Sequence, residues 1–235
     1  MTRRALLVVG ALALVGCNDL SQRWELDHAR VLAVRMSAPG LAPGATATVD
    51  ALVVDDAGVP AVVTPRLVAL ATPGDAAVLT VAPADGGWTG TAGDAAAIAA
   101  ARAAAGLTAD QPLAITLGAV VTLGGVDRVA TKQVRLGEAL ANPPTPVIHV
   151  DGVAAGEAPA PVAIDRDVAL TLDGVTPADD LAFDWLTSTG TLTYSETAAA
   201  TLTLAADDAP TGHVVAIVRS DVGGAAWATA TIAVP

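Results

Sequence analysis

The sequence predicts an all-β chain folded as two tandem β-sandwich domains. Three observations predict it: short apolar runs alternate with period two along most of the 235 residues, Gly, Pro and Asp clusters separate those runs, and a proline-rich break at Asn142-Pro143-Pro144-Thr145-Pro146 divides the chain. Composition then limits what can fill the cores. Aromatic residues make up only 3% of the chain, so Val, Leu, Ile and Ala supply the bulk. Trp24, Trp88, Trp185 and Trp227 act as large fixed points, since one such side chain buries roughly 150–250 Å².

In the first domain, expected over residues 28–141, Arg30–Met36 places Leu32, Val34 and Met36 on one face, and Ala45–Val53 does the same with Ala45, Ala47, Val49, Ala51 and Val53. Pro39-Gly40-Leu41-Ala42-Pro43-Gly44 turns the chain between them, and Asp55-Asp56-Ala57-Gly58 turns it again. Further strands are expected at Pro65–Thr72, Ala77–Ala82 and Leu113–Leu123. Gly124-Gly125 then leads into Val126–Leu136, a hairpin signal because glycine accepts positive φ without steric cost. Trp88 lies in Asp85-Gly86-Gly87-Trp88-Thr89-Gly90 and reads as a loop tryptophan folded back over a core of small residues. Asp94, a capping residue, precedes an almost pure alanine run to Ala105 with Gly106 beyond it, which predicts a short helix inserted between strands.

Residues 142–147 form the linker, because three of the five residues from Asn142 to Pro146 lack a backbone donor. The second domain, residues 148–235, carries evenly spaced short strands at Asp167–Asp173, Leu181–Thr187, Gly190–Tyr194, Ala200–Ala205, His213–Arg219 and Ala225–Val234. Phe183-Asp184-Trp185, Ser188-Thr189-Gly190-Thr191, Gly212–Val218 with Asp221, and Ala228–Val234 resemble the PKD and immunoglobulin-like modules of bacterial surface proteins. That resemblance implies an immunoglobulin-like sandwich in which Trp185 plugs the core, with packing in place of a disulfide.

At the N-terminus, Arg3-Arg4 precede an apolar run from Ala5 to Gly16 and then Cys17. The run has the length of a signal-peptide h-region and is too short to cross a bilayer, which takes about 20 apolar residues. Leu14-Val15-Gly16-Cys17 resembles the lipobox of bacterial lipoproteins. The resemblance implies cleavage between Gly16 and Cys17 and acylation of Cys17, leaving residues 17–27 as a lipidated cysteine and tether held on the lipid bilayer. Two or three acyl chains give firm anchoring where one does not. Asn18 at the following position leans, by likeness to Gram-negative sorting, toward the outer membrane. The whole arrangement also resembles the predicted lipoproteins of myxobacteria, a family that brings no activity with it.

The charge pattern excludes nucleic acid as a partner: formal net charge is −12 and the chain has one lysine, Lys132. No G-x-S-x-G, H-E-x-x-H, P-loop or dinucleotide fingerprint occurs. His28, His149 and His213 stand far apart, and a triad would need His213 to meet Asp221 and a serine. Calcium is the one metal the acids suggest: Asp173, Asp179, Asp180 and Asp221 fall in loops expected at one end of the second sandwich, beside the linker. No other cofactor is expected. The function read from the sequence is a non-enzymatic envelope module for binding, adhesion or structure, with an envelope protein or glycan as partner. An accessory subunit of an export or secretion complex is the alternative, and a hydrolase or carbohydrate-binding domain a weaker one. Replacing the anchor residue, Cys17→Ser, is expected to release the protein from the membrane fraction with its circular dichroism spectrum unchanged.

Overall fold

The computed structural model describes residues 22–70, 78–108 and 110–235. Gly16 and Cys17 lie outside these residues, as do the C-terminal end of the expected strand Pro65–Thr72 and the first residue of Ala77–Ala82. The N-terminal half holds β1 (Arg30–Met36), β2 (Gly40–Leu41), β3 (Thr46–Val54), β4 (Pro60–Val63), β5 (Arg66–Ala69), β6 (Leu79–Ala84), β7 (Gly87–Ala92), α1 (Ala95–Ala104), β8 (Leu113–Leu123) and β9 (Val126–Leu136). One sheet runs β1-β3-β7-β6 with β4 also on β3, and the other runs β2-β9-β8-β5. The nine-residue β3 organises the first sheet. Its full length is too long for one partner on the far edge, so Thr46–Thr48 pair with β7 while Ala51–Val54 pair with β4.

The C-terminal half holds β10 (Val147–Val150), β11 (Val153–Ala154), β12 (Ala160–Pro161), β13 (Asp167–Asp173), β14 (Leu181–Thr187), β15 (Thr191–Thr193), β16 (Ala199–Thr203), β17 (Thr211–Ser220) and β18 (Ala225–Ala233). Its sheets run β11-β10-β13-β16-β15 and β12-β18-β17-β14. Trp185 on β14 is 1% exposed between them, among Val168, Leu170, Leu202 and Ala216. Its indole N–H donates to the Thr197 carbonyl at 3.0 Å, so the largest side chain of this core leaves no polar atom unmet.

Two local readings are corrected. The glycine-rich segment around Trp88 is a strand, β7, closing a hairpin with β6, because Gly86 and Gly87 take positive φ at the turn and Thr89 and Thr91 then alternate against β3. Trp88 itself is half-buried against the first core. In β3 the apolar set extends beyond the expected face. Ala47, Val49, Ala51 and Val53 enter the N-terminal core, but Leu52 and Val54, on the opposite face, are also fully buried.

The second face of β3 is covered by the C-terminal half. Leu52 and Val54 join Ala33 of β1, Leu26, Leu186 of β14, Val215 and Ile217 of β17 and Trp227 of β18 in one buried cluster between the halves. Alternation makes this possible: Val214 and Ala216 face the C-terminal core while Val215 and Ile217 face the junction. A sheet buried on both faces reads as a continuous apolar run, and Val214-Val215-Ala216-Ile217-Val218 is one. Separating the halves would return eight apolar side chains to water, each worth about 1.5–3 kcal/mol for the larger ones.

Polar groups fix the register of this contact. The Asn142 amide donates to the carbonyls of Met36 (2.7 Å) and Ser37 (3.2 Å) while its oxygen accepts from Ala225 N–H (3.0 Å), so the linker residue is bonded to both halves. Gly58, at φ +75°, lets the β3–β4 turn approach so closely that a Cβ there would stand 2.6 Å from the Leu26 carbonyl oxygen and from Ser188 Cβ. Because Leu52 is fully buried at the junction, Leu52→Ala is expected to lower stability by about 2–5 kcal/mol, seen as a fall in the urea midpoint.

Candidate functional site

The sequence following the expected anchor does not lead straight into β1. Trp24 and Leu26 cross to the C-terminal half, where Thr187 N–H donates to the Trp24 carbonyl (2.9 Å) and Leu26 N–H to the Thr187 carbonyl (2.8 Å). Leu26 carries this segment into the junction cluster. Between that segment, β1 and the β14–β17 sheet lies a cleft of about 620 Å³, lined by Arg23, Arg30, Asp184, Glu196 and Arg219 over an apolar floor that includes Leu32 and Ile217. A smaller lobe of about 310 Å³ shares Val31, Leu32 and Arg219 with it and ends at Lys132 on β9.

The charges at the cleft are organised around Asp184. Arg23 reaches its carboxylate at 3.2 Å and also pairs with Glu196, and Arg219 pairs with Asp184 from the other side. Arg219 also donates to the Leu32 carbonyl of β1 at 2.9 Å, which ties β17 to the N-terminal half. Burial, and secondarily the Arg23 charge, lowers the Arg219 pKa from its ordinary value. Arg30 is bonded to backbone instead, donating to the carbonyls of Glu25 and Arg23. Beyond the smaller lobe, Arg35 forms a two-point pair with Asp50 (2.6 and 3.2 Å), and its guanidinium lies 4.2 Å from the centre of the Trp227 ring.

Lys132 is the residue that reading the sequence for chemistry missed. It is 6% exposed, and its ammonium donates to the Gly223 carbonyl. In β9 it has the same parity as Val134 and Leu136, both fully buried, so a cation occupies a core-side register position. That parity was available in the Val126–Leu136 run as a signal. Burial first, and the Arg219 charge second, push the Lys132 ammonium down to about 8, against a smaller opposing pull from Asp50.

The other candidates are dispersed. Asp221 N–H donates to the Asp180 carbonyl at 3.0 Å, so those two loops do meet, and Asp173 turns its carboxylate to the N–H of Gly174. Among the described residues, however, no three His, Cys, Asp or Glu side chains assemble into one group, so the carboxylates of Asp173, Asp179, Asp180 and Asp221 do not converge on a common point. His213 and Asp221 lie near opposite ends of β17, about 26 Å apart along an extended strand, which rules out their triad. Ser188 spends its hydroxyl oxygen accepting from His213 backbone N–H. His149 meets the Gly152 carbonyl at 3.3 Å, and His28 its neighbour Asp27 at 2.5 Å. What the cleft offers chemically is recognition by cations and an apolar floor.

No protein-family model matches the sequence, and no curated protein matches it. Among solved structures the chain is similar to the human desmocollin-1 ectodomain, at 14% identity over 84% of this chain and 34% of that one, with a TM-score of 0.28. It is similar to the fibronectin(III)-like modules of Clostridium thermocellum CbhA at 11% identity, over 86% of this chain and 94% of that one, TM-score 0.28. A nucleoside hydrolase-related hypothetical protein from Saccharophagus degradans matches at 20% identity over 40% of this chain and 26% of that one, TM-score 0.30. The chain spans about a quarter to a third of the length of the first structures it matches. At such scores nothing of what these proteins do carries over.

The buried lysine gives stability a pH signature. Between about pH 8 and pH 10.5 the unfolded chain still binds a proton that folded Lys132 has released, so this group makes stability rise with pH across that window. The rise is at most about 3 kcal/mol at 1.36 kcal/mol per pKa unit. Urea midpoints measured from pH 7 to pH 10.5 are expected to climb in the natural protein and to lose that climb in Lys132→Met.

Proposed function

We propose that this chain is a lipid-anchored, non-enzymatic module of the bacterial cell envelope, serving binding, adhesion or structure. On this reading it consists of two tandem immunoglobulin-like sandwiches, residues 28–141 and 148–235, the first interrupted by α1. Cys17, acylated after cleavage at Gly16, holds it to the outer membrane through palmitate-type chains.

The observation that carries the reading is the attachment of Trp24 and Leu26 to β14. Counting from Cys17, the segment up to Trp24 spans at most about 25 Å when fully extended. An anchor at Cys17 therefore keeps the junction, and the cleft beside it, near the headgroups. The clasped halves suit a scaffold that presents loops in a fixed arrangement, because Asn142 and the buried cluster couple their orientations. No helix among the described residues is long and apolar enough to cross a membrane, so the lipid supplies the attachment in this reading.

Metabolic labelling with a tagged palmitate followed by fractionation tests the anchor. Label in a detergent-extractable membrane band, lost in Cys17→Ser, is the expected outcome, and an unlabelled protein in the aqueous fraction would overturn it. Affinity isolation from solubilised membranes then separates a free-standing module from a subunit. Recovery in a stoichiometric membrane complex would favour the export or secretion assembly.

A further inference from the structure

We propose that the cleft between the halves is an oxyanion site, taking a phosphate group against Lys132 in the smaller lobe. The inference goes beyond the envelope role and stands whether or not Cys17 is acylated.

Charge is the first argument. The two lobes together are lined by Arg23, Arg30, Lys132 and Arg219 against only Asp184 and Glu196, in a chain whose formal net charge is −12. A local excess of cations in so acidic a protein focuses a positive potential into one concave place. Geometry is the second argument. Lys132 is 6% exposed and lines the smaller lobe, and among the described residues one of its ammonium's three donors meets a protein acceptor, the Gly223 carbonyl.

The neighbouring carboxylates do not complete its shell. Asp50 from β3 is engaged at both oxygens by Arg35 from β1. Arg219 holds Asp184 in the larger lobe. Among the described residues Lys132 has no ion pair of its own; a buried cation in that state is costly, and the species that relieves the cost is an anion small enough for a lobe of about 310 Å³. An oxyanion accepts from the two remaining ammonium donors at once. Chloride has no such directional acceptors.

Linkage makes the proposal measurable on the natural protein. An anion that binds only the charged amine raises its pKa, by about one unit when present at ten times its dissociation constant. Because the chain has one lysine, ¹³Cε-lysine labelling gives a single NMR signal that reports Lys132 alone. The experiment titrates that signal with pH in the full chain, with inorganic phosphate or with chloride at matched ionic strength. A saturable phosphate-dependent shift at pH 7, with a midpoint moved up by about one unit relative to chloride, is expected. A midpoint equal in the two salts would overturn the proposal. In a second arm, Lys132→Met is expected to lose the excess thermal stabilisation given by phosphate over chloride. Retention of that excess in a folded Lys132→Met protein would also overturn it, and the labelled natural protein decides the matter if that variant does not fold.

Discussion

The arrangement of the whole molecule depends on the burial of a second face of β3 and of β17. Each of these strands already belongs to the core of its own half through one set of alternating side chains. Leu52 and Val54 on one, and Val215 and Ile217 on the other, then meet around Trp227 in a shared cluster. The hydrophobic effect has no direction of its own, so the cluster supplies adhesion without choosing an orientation. Orientation comes from the bonds at its rim: Asn142 to both halves, Arg219 to the Leu32 carbonyl, and the close approach permitted at Gly58.

The same contact creates the cleft and its electrostatics. Arg219 from one half and Lys132 from the other are brought near one another and largely removed from water. Arg219 is held by Asp184 and by a carbonyl of the opposite half, while Lys132 reaches from β9 to the Gly223 carbonyl of the other half. Desolvation then lowers the pKa of both groups. The N-terminal segment completes the wall by pairing with Thr187, so the first of the described residues lie where the cations converge.

Much of the strand content was legible because period-two patterning is a local property. Arg30–Met36, Leu113–Leu123, Val126–Leu136, Asp167–Asp173 and Leu181–Thr187 have the bounds that alternation and turn residues indicate. The strands that escaped notice are short or lack a clear alternation: β2 and β12 are two-residue parallel pairings, and β7 was obscured by its glycines. Alternation also misled where it was incomplete. In β3 it singled out the inner set and passed over Leu52 and Val54, whose burial depends on a surface supplied more than a hundred residues later.

The candidate site was less legible for the same reason. Lys132 was noticed as the sole lysine, and its register beside Val134 and Leu136 marks it as anomalous, but its acceptor and its neighbours come from Gly223 and Arg219. The acids near Asp180 and Asp221 show the converse: their loops meet through backbone, yet among the described residues no three acids gather into one group. By itself the sequence determined the all-β character, most strand positions, the packing role of Trp185 and the lipobox-like tetrad ending in Cys17. Only the tertiary structure decided that the two halves share a buried face and that cations gather beside it. Periodicity along a chain specifies which side of a strand is apolar, whereas the surface that covers that side is set by distant residues and long-range packing.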